Sequence, residues 1–150
     1  MIKRIHQQDE AIQQFVDAAF NTLRATYKPN EKAIASRSEN QKDQWELWGY
    51  FQGTQCIGYV ETRLDNHDLQ FRTLAVHHLA RRRGIARQLL AAVQHAYPSS
   101  KTASLWCVAE TGNPAIFEAM GFKTCQRFSS EILVLLSGEP ATEVQMRRTA

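Results

Sequence analysis

The apolar run Leu74-Ala75-Val76 gives way within a few residues to Arg81-Arg82-Arg83-Gly84-Ile85-Ala86. This is the pattern of a strand end, a short basic turn and a helix that begins at a glycine. It constrains the fold strongly, because such a turn leaves several backbone N–H groups unpaired at the positive end of a helix dipole. Groups aimed that way suit a phosphate or pyrophosphate. Gly84 lets the backbone approach the anion closely, and Ala86 keeps the next position small. Arg81, Arg82, Arg83 and Arg87 would add charge-assisted hydrogen bonds to phosphate oxygens. A solvated basic turn, or one that touches RNA, is the plain alternative, since short motifs often mislead.

The rest of the chain is read outward from that turn. Residues 1–6 read as a strand. Ile12, Phe15, Val16, Ala19 and Leu23 recur at helical spacing, and Asp9 is placed to cap that helix. Pro29-Asn30 marks a turn, residues 31–37 suggest a short second helix, and residues 36–44 read as an exposed loop. Residues 45–51 and 56–64 flank Gly53-Thr54 as a hairpin, and residues 65–68 turn the chain into a strand over 69–76. After the basic turn, Ile85, Leu89, Ala92, Val93 and Ala96 form a second apolar stripe, which Pro98 ends. Residues 104–109 read as a short buried strand. Asn113-Pro114 opens a short helix that stops at Gly121. Residues 123–136 and 143–148 are the last two strands. The expectation is a single α/β (α+β) domain over residues 1–150, with a mainly antiparallel mixed sheet of about six to seven strands, one helix-linked parallel pair, and helices on its faces.

Composition narrows the class further. A chain of 150 residues with 43% hydrophobic and 22% charged residues is an ordinary globular domain. Its net charge of +3 agrees with a polyanionic ligand without demanding nucleic acid. The three cysteines, Cys56, Cys107 and Cys125, are odd in number, lack C-x-x-C spacing and sit in apolar strand-like runs, which reads as buried reduced thiols in a cytoplasmic protein. No apolar segment follows Met1-Ile2-Lys3-Arg4, so no signal peptide is expected. The apolar run over residues 132–136 is far too short to span a bilayer. His77 and His78 are adjacent, and on an extended chain their rings would point apart, so no metal is expected.

The string RRRGIA fits the Arg/Gln-x-x-Gly-x-Gly/Ala signature of the GNAT superfamily of N-acetyltransferases. LQFRTLAV resembles that family's fourth strand and ARQLLAAVQHA its signature helix. SLWCVAETGNPAIFEAMGF resembles its fifth strand, the next helix and the closing Gly-Phe pair, so the resemblance covers nearly the whole chain in order. It implies direct transfer of the acetyl group of acetyl-CoA to a primary amine on a small molecule or peptide. It implies that the parallel pair splays apart. The pyrophosphate would lie on Arg81, Arg82, Arg83, Gly84, Ile85, Ala86 and Arg87, and the pantetheine arm along Leu74, Ala75 and Val76. The backbone N–H of Val76 would stabilise the oxyanion. Asn113 stands near the place of the family's pantetheine-contacting asparagine, although Glu110 lies closer when distance is counted back from Gly121. Phe117 stands where many members carry a tyrosine that protonates the departing thiolate, and it has no hydroxyl. Cys107 or a water is the candidate stand-in.

The proton of the incoming amine needs an acceptor, or a water chain leading to one. Glu61 is the best candidate, on a strand face expected to hold Ile57 and Tyr59. An equal alternative is a strand glutamate paired with a cross-strand cation. Gln70 stands where many members place a glutamate and cannot accept that proton. Trp45, Trp48, Tyr50 and Phe51 are expected to pack the sheet, with one or two available to an acceptor cleft. Tyr27 and residues 28–44 fall where the family builds its acceptor pocket. A homodimer sharing residues 132–136 and burial of that run within one chain are both open. Two other functions remain: an acyl-CoA-binding sensor or degenerate transferase, motivated by Phe117 and Gln70, and an RNA-binding domain that adds Arg147 and Arg148 to the basic turn. The second ranks last, because no nucleic-acid module is recognisable.

Overall fold

The structure, a computed structural model, describes residues 1–33 and 44–149. Chain order runs β1 (Ile2–Ile5), α1 (Glu10–Asn21), β2 (Tyr27–Pro29), β3 (Glu46–Gln52), β4 (Gln55–Asp65), β5 (Asp68–Val76), α2 (Ile85–His95), β6 (Thr102–Val108), α3 (Asn113–Glu118), β7 (Lys123–Leu135) and β8 (Pro140–Thr149). Among the described residues one sheet of eight strands has the order β1-β3-β4-β5-β6-β8-β7-β2, with β5 and β6 as its only parallel pair. The strand beyond the expected six or seven is β2. Three residues with a lysine and a proline carry no alternation to read, and β2 exists because Tyr27 pairs with Leu135 on β7. Residues 31–33 form a helical turn. The remainder of the second helix expected to residue 37, and all but the last residue of the loop expected over 36–44, lie outside the described residues.

Helices cover both faces. Asp9 accepts the Ile12 N–H at 2.8 Å and starts α1, which buries Ile12 and Val16 against Cys56, Tyr59 and Ala75. On the opposite face, Leu89, Leu90 and Val93 of α2 pack with Val60, Leu69, Phe71, Leu105, Phe122 and Met146. Burial of side chains of this size is worth about 1.5–3 kcal/mol each. Gly58 lets α2 lie close to the sheet, since a Cβ there would stand 2.9 Å from Ile85 Cγ2. Phe117 of α3 meets Phe122 edge to face, with ring centroids 6.0 Å apart. One expectation is corrected here. Ile57 does not share a face with Tyr59, because β3 and β4 slip register between Tyr50 and Phe51. Ile57 packs instead with Ala80 and Ile85.

The parallel pair is sewn at one end and open at the other. Asp68 pairs with Thr102 and Phe71 with Leu105, and there the ladder stops. Beyond Leu105, β6 follows β8 through Val108 opposite Glu143. The last five residues of β5, 72–76, run on without β6. At the closed end Asp68 accepts hydrogen bonds from Thr102 Oγ1 at 2.8 Å and Ser104 Oγ at 2.6 Å, with Arg147 Nε at 3.9 Å. This is the expected splay.

Candidate active site at the splayed strands

The geometry of the gap begins with one extra residue. Tyr59 pairs with Ala75 but Glu61 pairs with Arg72, so β5 spends three steps where β4 spends two. That is a β-bulge, and Thr73 takes it up with a φ of 56°. A left-handed backbone at a β-branched residue is strained by about 1–3 kcal/mol. Past the bulge, His77 donates its N–H to the Ile57 carbonyl at 2.8 Å, and Val76 pairs with Gly58. Neighbouring residues of an antiparallel ladder alternate between facing the partner and facing away. Val76 therefore turns its N–H and C=O away from β4, to the side that β6 has left.

Directly after Val76 the chain makes a single 3-10 turn over His78–Ala80 and reaches the arginines. Arg82 and Gly84 both adopt positive φ, 66° and 72°. Gly84 caps α2 without any side-chain hydrogen bond, and the first helical bond is Gln88 N–H to Gly84 O at 2.9 Å. The N–H groups of Ile85, Ala86 and Arg87 thus have no partner within the helix. Among the described residues no carboxylate pairs with Arg81, Arg82, Arg83 or Arg87. Arg87 instead donates to Ala119 O at 2.9 Å, tying α2 to the end of α3. Arg83 reaches Leu79 O at 3.5 Å.

The two histidines correct the sequence reading. His77 and His78 stack, with ring centroids 4.6 Å apart, and Phe15 stacks on His77 at 6.0 Å. They do not point apart because the chain is no longer extended there: His78 opens the 3-10 turn and His77 Nδ1 accepts the Leu79 N–H. Among the described residues no cluster of three His, Cys, Asp or Glu could hold a metal ion. These rings, with Arg81, Val76 and Cys56, line a cavity of about 500 Å³ between α1 and the turn. No sequence signal announced that cavity, since α1 and the turn are far apart in the chain.

Glu61 stands in a dense network. Its Oε1 accepts from Arg72 Nε at 2.6 Å and from Thr73 Oγ1 at 3.3 Å, and its Oε2 accepts from Tyr59 OH at 2.6 Å. The cross-strand cation that stood as the alternative is therefore present, as Arg72. Tyr59 is fully buried, and burial and its bond to Glu61 push its phenol well above the ordinary tyrosine range. The Arg72 guanidinium lies 4.1 Å over the Trp45 ring, and Arg63 lies 4.7 Å over the same ring. Gln70 Oε1 accepts from Arg63 Nη2 at 2.9 Å.

On the other side of the gap, Cys107 of β6 approaches Met146 Sδ at 3.9 Å, and burial pushes its thiol up to about 11. Asn113 begins α3 and donates its N–H to Thr111 Oγ1 at 3.1 Å. Phe117 is turned into the core against Phe122. Glu110 accepts the Thr142 N–H at 2.6 Å and so pins the start of β8. Sequence reasoning placed Tyr59 on the face of Glu61 and left a cross-strand cation open, but it missed Thr73, whose part in the site depends on the bulge.

A strand edge that opens toward an uncapped helix N-terminus defines a class of protein that seats an extended, anionic ligand. The pattern described as acetyltransferase (GNAT) domain matches residues 5–132, and the chain belongs to that family. A search of curated proteins finds no match. Among solved structures the chain is similar to an aminoglycoside 6'-N-acetyltransferase complexed with coenzyme A, at 12% identity and a TM-score of 0.69, over 99% of this chain and 96% of that one. A GNAT family acetyltransferase from Elizabethkingia anophelis with acetyl-CoA bound is 14% identical, with a TM-score of 0.68 over 100% and 97%. A ribosomal-protein-alanine N-acetyltransferase from Brucella melitensis is 18% identical, with a TM-score of 0.67 over 100% and 99%. At these identities the likeness establishes the fold.

Proposed function

We propose that the chain is an N-acetyltransferase that passes the acetyl group of acetyl-CoA directly to a primary amine. The observation that carries this is the Val76 N–H, turned out of its ladder into the gap beside the uncapped start of α2. The residues present fit the co-substrate. The free N–H groups of Ile85, Ala86 and Arg87 and the open backbone at Gly84 suit a pyrophosphate, and Arg81, Arg82 and Arg83 would add charge. The edge formed by Leu74, Ala75 and Val76 suits the amides of a pantetheine arm, and the resemblance would add Asn113 and Phe117 of α3, the latter through its backbone turn since its ring packs on Phe122.

Acetyl-CoA supplies the thioester. Val76 N–H would hold the carbonyl oxygen as it gains charge, and such a donor is worth about 10²–10³ in rate. Phe117 has no proton to give, but a thiol of ordinary pKa near about 8.5 leaves tolerably as thiolate. The Cys107 thiol, held protonated by burial, is the candidate acid that the sequence offers. The acceptor is proposed only as a small-molecule or peptide amine. Free thiols at all three cysteines support a reducing compartment, the cytoplasm. Among the described residues no helix is long and apolar enough to cross a membrane. The exposed Ile132 and Leu136 support a second copy of the chain as a partner.

The test is the thermal midpoint with and without acetyl-CoA, with adenosine diphosphate and RNA as controls. Ligand at a hundredfold Kd should add about 2.7 kcal/mol, roughly 5–10 °C here. Thiol release with a panel of amines then separates an enzyme from a sensor. The sensor reading is favoured by Phe117 and Gln70, and it expects the midpoint to rise while no amine releases thiol. No rise with saturating acetyl-CoA would overturn both.

A further inference from the structure

We propose that Glu61 is a positioning residue that pins the β5 bulge and thereby turns the Val76 N–H into the gap. The inference rests on the transferase reading for its consequence, but its geometry stands apart from it. Without the extra residue, the register before the bulge would continue. Glu61 opposite Arg72 would then put Ile57 opposite Val76, and Val76 would take the place that His77 holds now. A slip of one residue exchanges the two sides of a strand. Val76 N–H would then point at β4 and be spent on the ladder. The bulge decides whether the gap has an amide donor.

What holds the bulge is visible around it. Thr73 carries the left-handed backbone, at a position of the bulge where glycine is usual. Its hydroxyl donates to Glu61 Oε1, which also takes Arg72 Nε from the residue before. One carboxylate oxygen thus binds both residues at the start of the bulge. The other oxygen is fixed by the buried Tyr59 hydroxyl, and Arg72 is clamped from outside by Trp45. The Glu61 side chain is only 15% exposed. Three donors occupy most of its roughly four acceptor sites, which is the arrangement of a strut.

Three variants test this: Glu61→Gln, Glu61→Ala, and Glu61→Ala with Thr73→Gly. Hydrogen exchange at two amides reads the bulge without any need for an acceptor. In the unaltered chain the Val76 amide should exchange fast and the His77 amide slowly. Glu61→Ala should raise His77 exchange roughly tenfold or more and slow Val76. Thr73→Gly should reverse that, because glycine takes positive φ without steric cost. Glu61→Gln keeps an acceptor oxygen and should leave both amides as they are.

Where an acceptor amine has been found, kinetics give the second readout. Glu61→Ala should lower kcat on the order of 10², with recovery in the double variant, as expected for a displaced oxyanion donor. Glu61→Gln should keep kcat within about threefold, with the acid limb of the pH profile unchanged. The idea fails if Glu61→Gln abolishes turnover together with that limb, which is the behaviour of a proton acceptor. It fails equally if Glu61→Ala leaves both amides unmoved, or if Thr73→Gly restores nothing. Should Glu61→Ala not fold, the double variant must fold. Absence of acetyl-CoA binding by the unaltered chain would sink the transferase reading and leave the amide result intact.

Discussion

Cys56, Cys107 and Cys125 differ in chemistry because they differ in burial. Cys56 is buried beside α1 and Cys107 is half-buried on β6, and burial pushes both thiols up to about 11. Cys125 is exposed. A thiolate is the reactive species, so iodoacetamide at pH 8 should alkylate Cys125 first, with Cys56 and Cys107 following only as pH climbs toward 11. Peptide mass spectrometry over a time course checks this, and equal rates at all three sites would count against it. The same shifts carry a sign for stability. A thiol whose folded pKa exceeds its unfolded value of 9.0 favours the fold fully below that value. The contribution is lost as pH rises through about 11, so the thermal midpoint should fall over that window. At this scale the sequence was legible for Cys56 and Cys107, whose apolar runs lie in the covered part of the sheet; it misled for Cys125, expected to be buried and found exposed because its stretch of β7 faces solvent. It was not legible for Thr73, because a threonine gives no sign that its backbone will be left-handed.

Helices were the legible elements and the short or irregular strands were not. The stripes of α1 and α2 repeat at 3.6 residues over eleven or twelve positions, long enough for periodicity to speak. β2 has three residues and the bulge is a single extra one, so neither leaves a period. The turn that joins β5 to α2 was readable from its glycine, and Gly84 offers a clean test of its purpose. Its φ is 72°, while a Cβ would meet nothing nearer than Gln88 Nε2 at 3.7 Å. Gly84→Ala therefore costs backbone strain alone, about 1–2 kcal/mol, or roughly 2–8 °C of midpoint for a chain this size. If the turn seats a pyrophosphate, acetyl-CoA affinity should fall by more than tenfold, since the N–H groups would no longer converge. Calorimetric titration of the variant well below its midpoint decides the matter. A lowered midpoint with unchanged affinity would mean the turn is only structural.

The whole sheet is divided by the place where β5 and β6 part, and that division depends on Asp68. Its carboxylate takes Thr102 and Ser104, both on β6, with Arg147 of β8 at the edge of ion-pair range. Three strands are thus joined at one point, while Cys107 and Val76 lie on strands that have separated. The family-wide order of strands made the splay an expectation of the resemblance; where it starts was not legible, because a parallel ladder ends by pairing and not by composition. Asp68→Ala tests the joint. It leaves the Ser104 hydroxyl, itself buried, without its acceptor, and the loss should reach about 2–3 kcal/mol, or roughly 5–10 °C in midpoint. The loss should be uneven. Amides of β6 that face β5 between Thr102 and Leu105 should exchange faster, while those paired with β8 keep their protection, because that ladder runs the full length of β6. Asp68→Asn retains an acceptor and should fall between the two. If Asp68→Ala unfolds β6 as a unit, or changes no amide at all, then the closed end is held by the ladder itself and the carboxylate is incidental. Selective exchange on the β5 side would locate the hinge of the gap at Asp68, as far along the strand from Val76 as β5 allows.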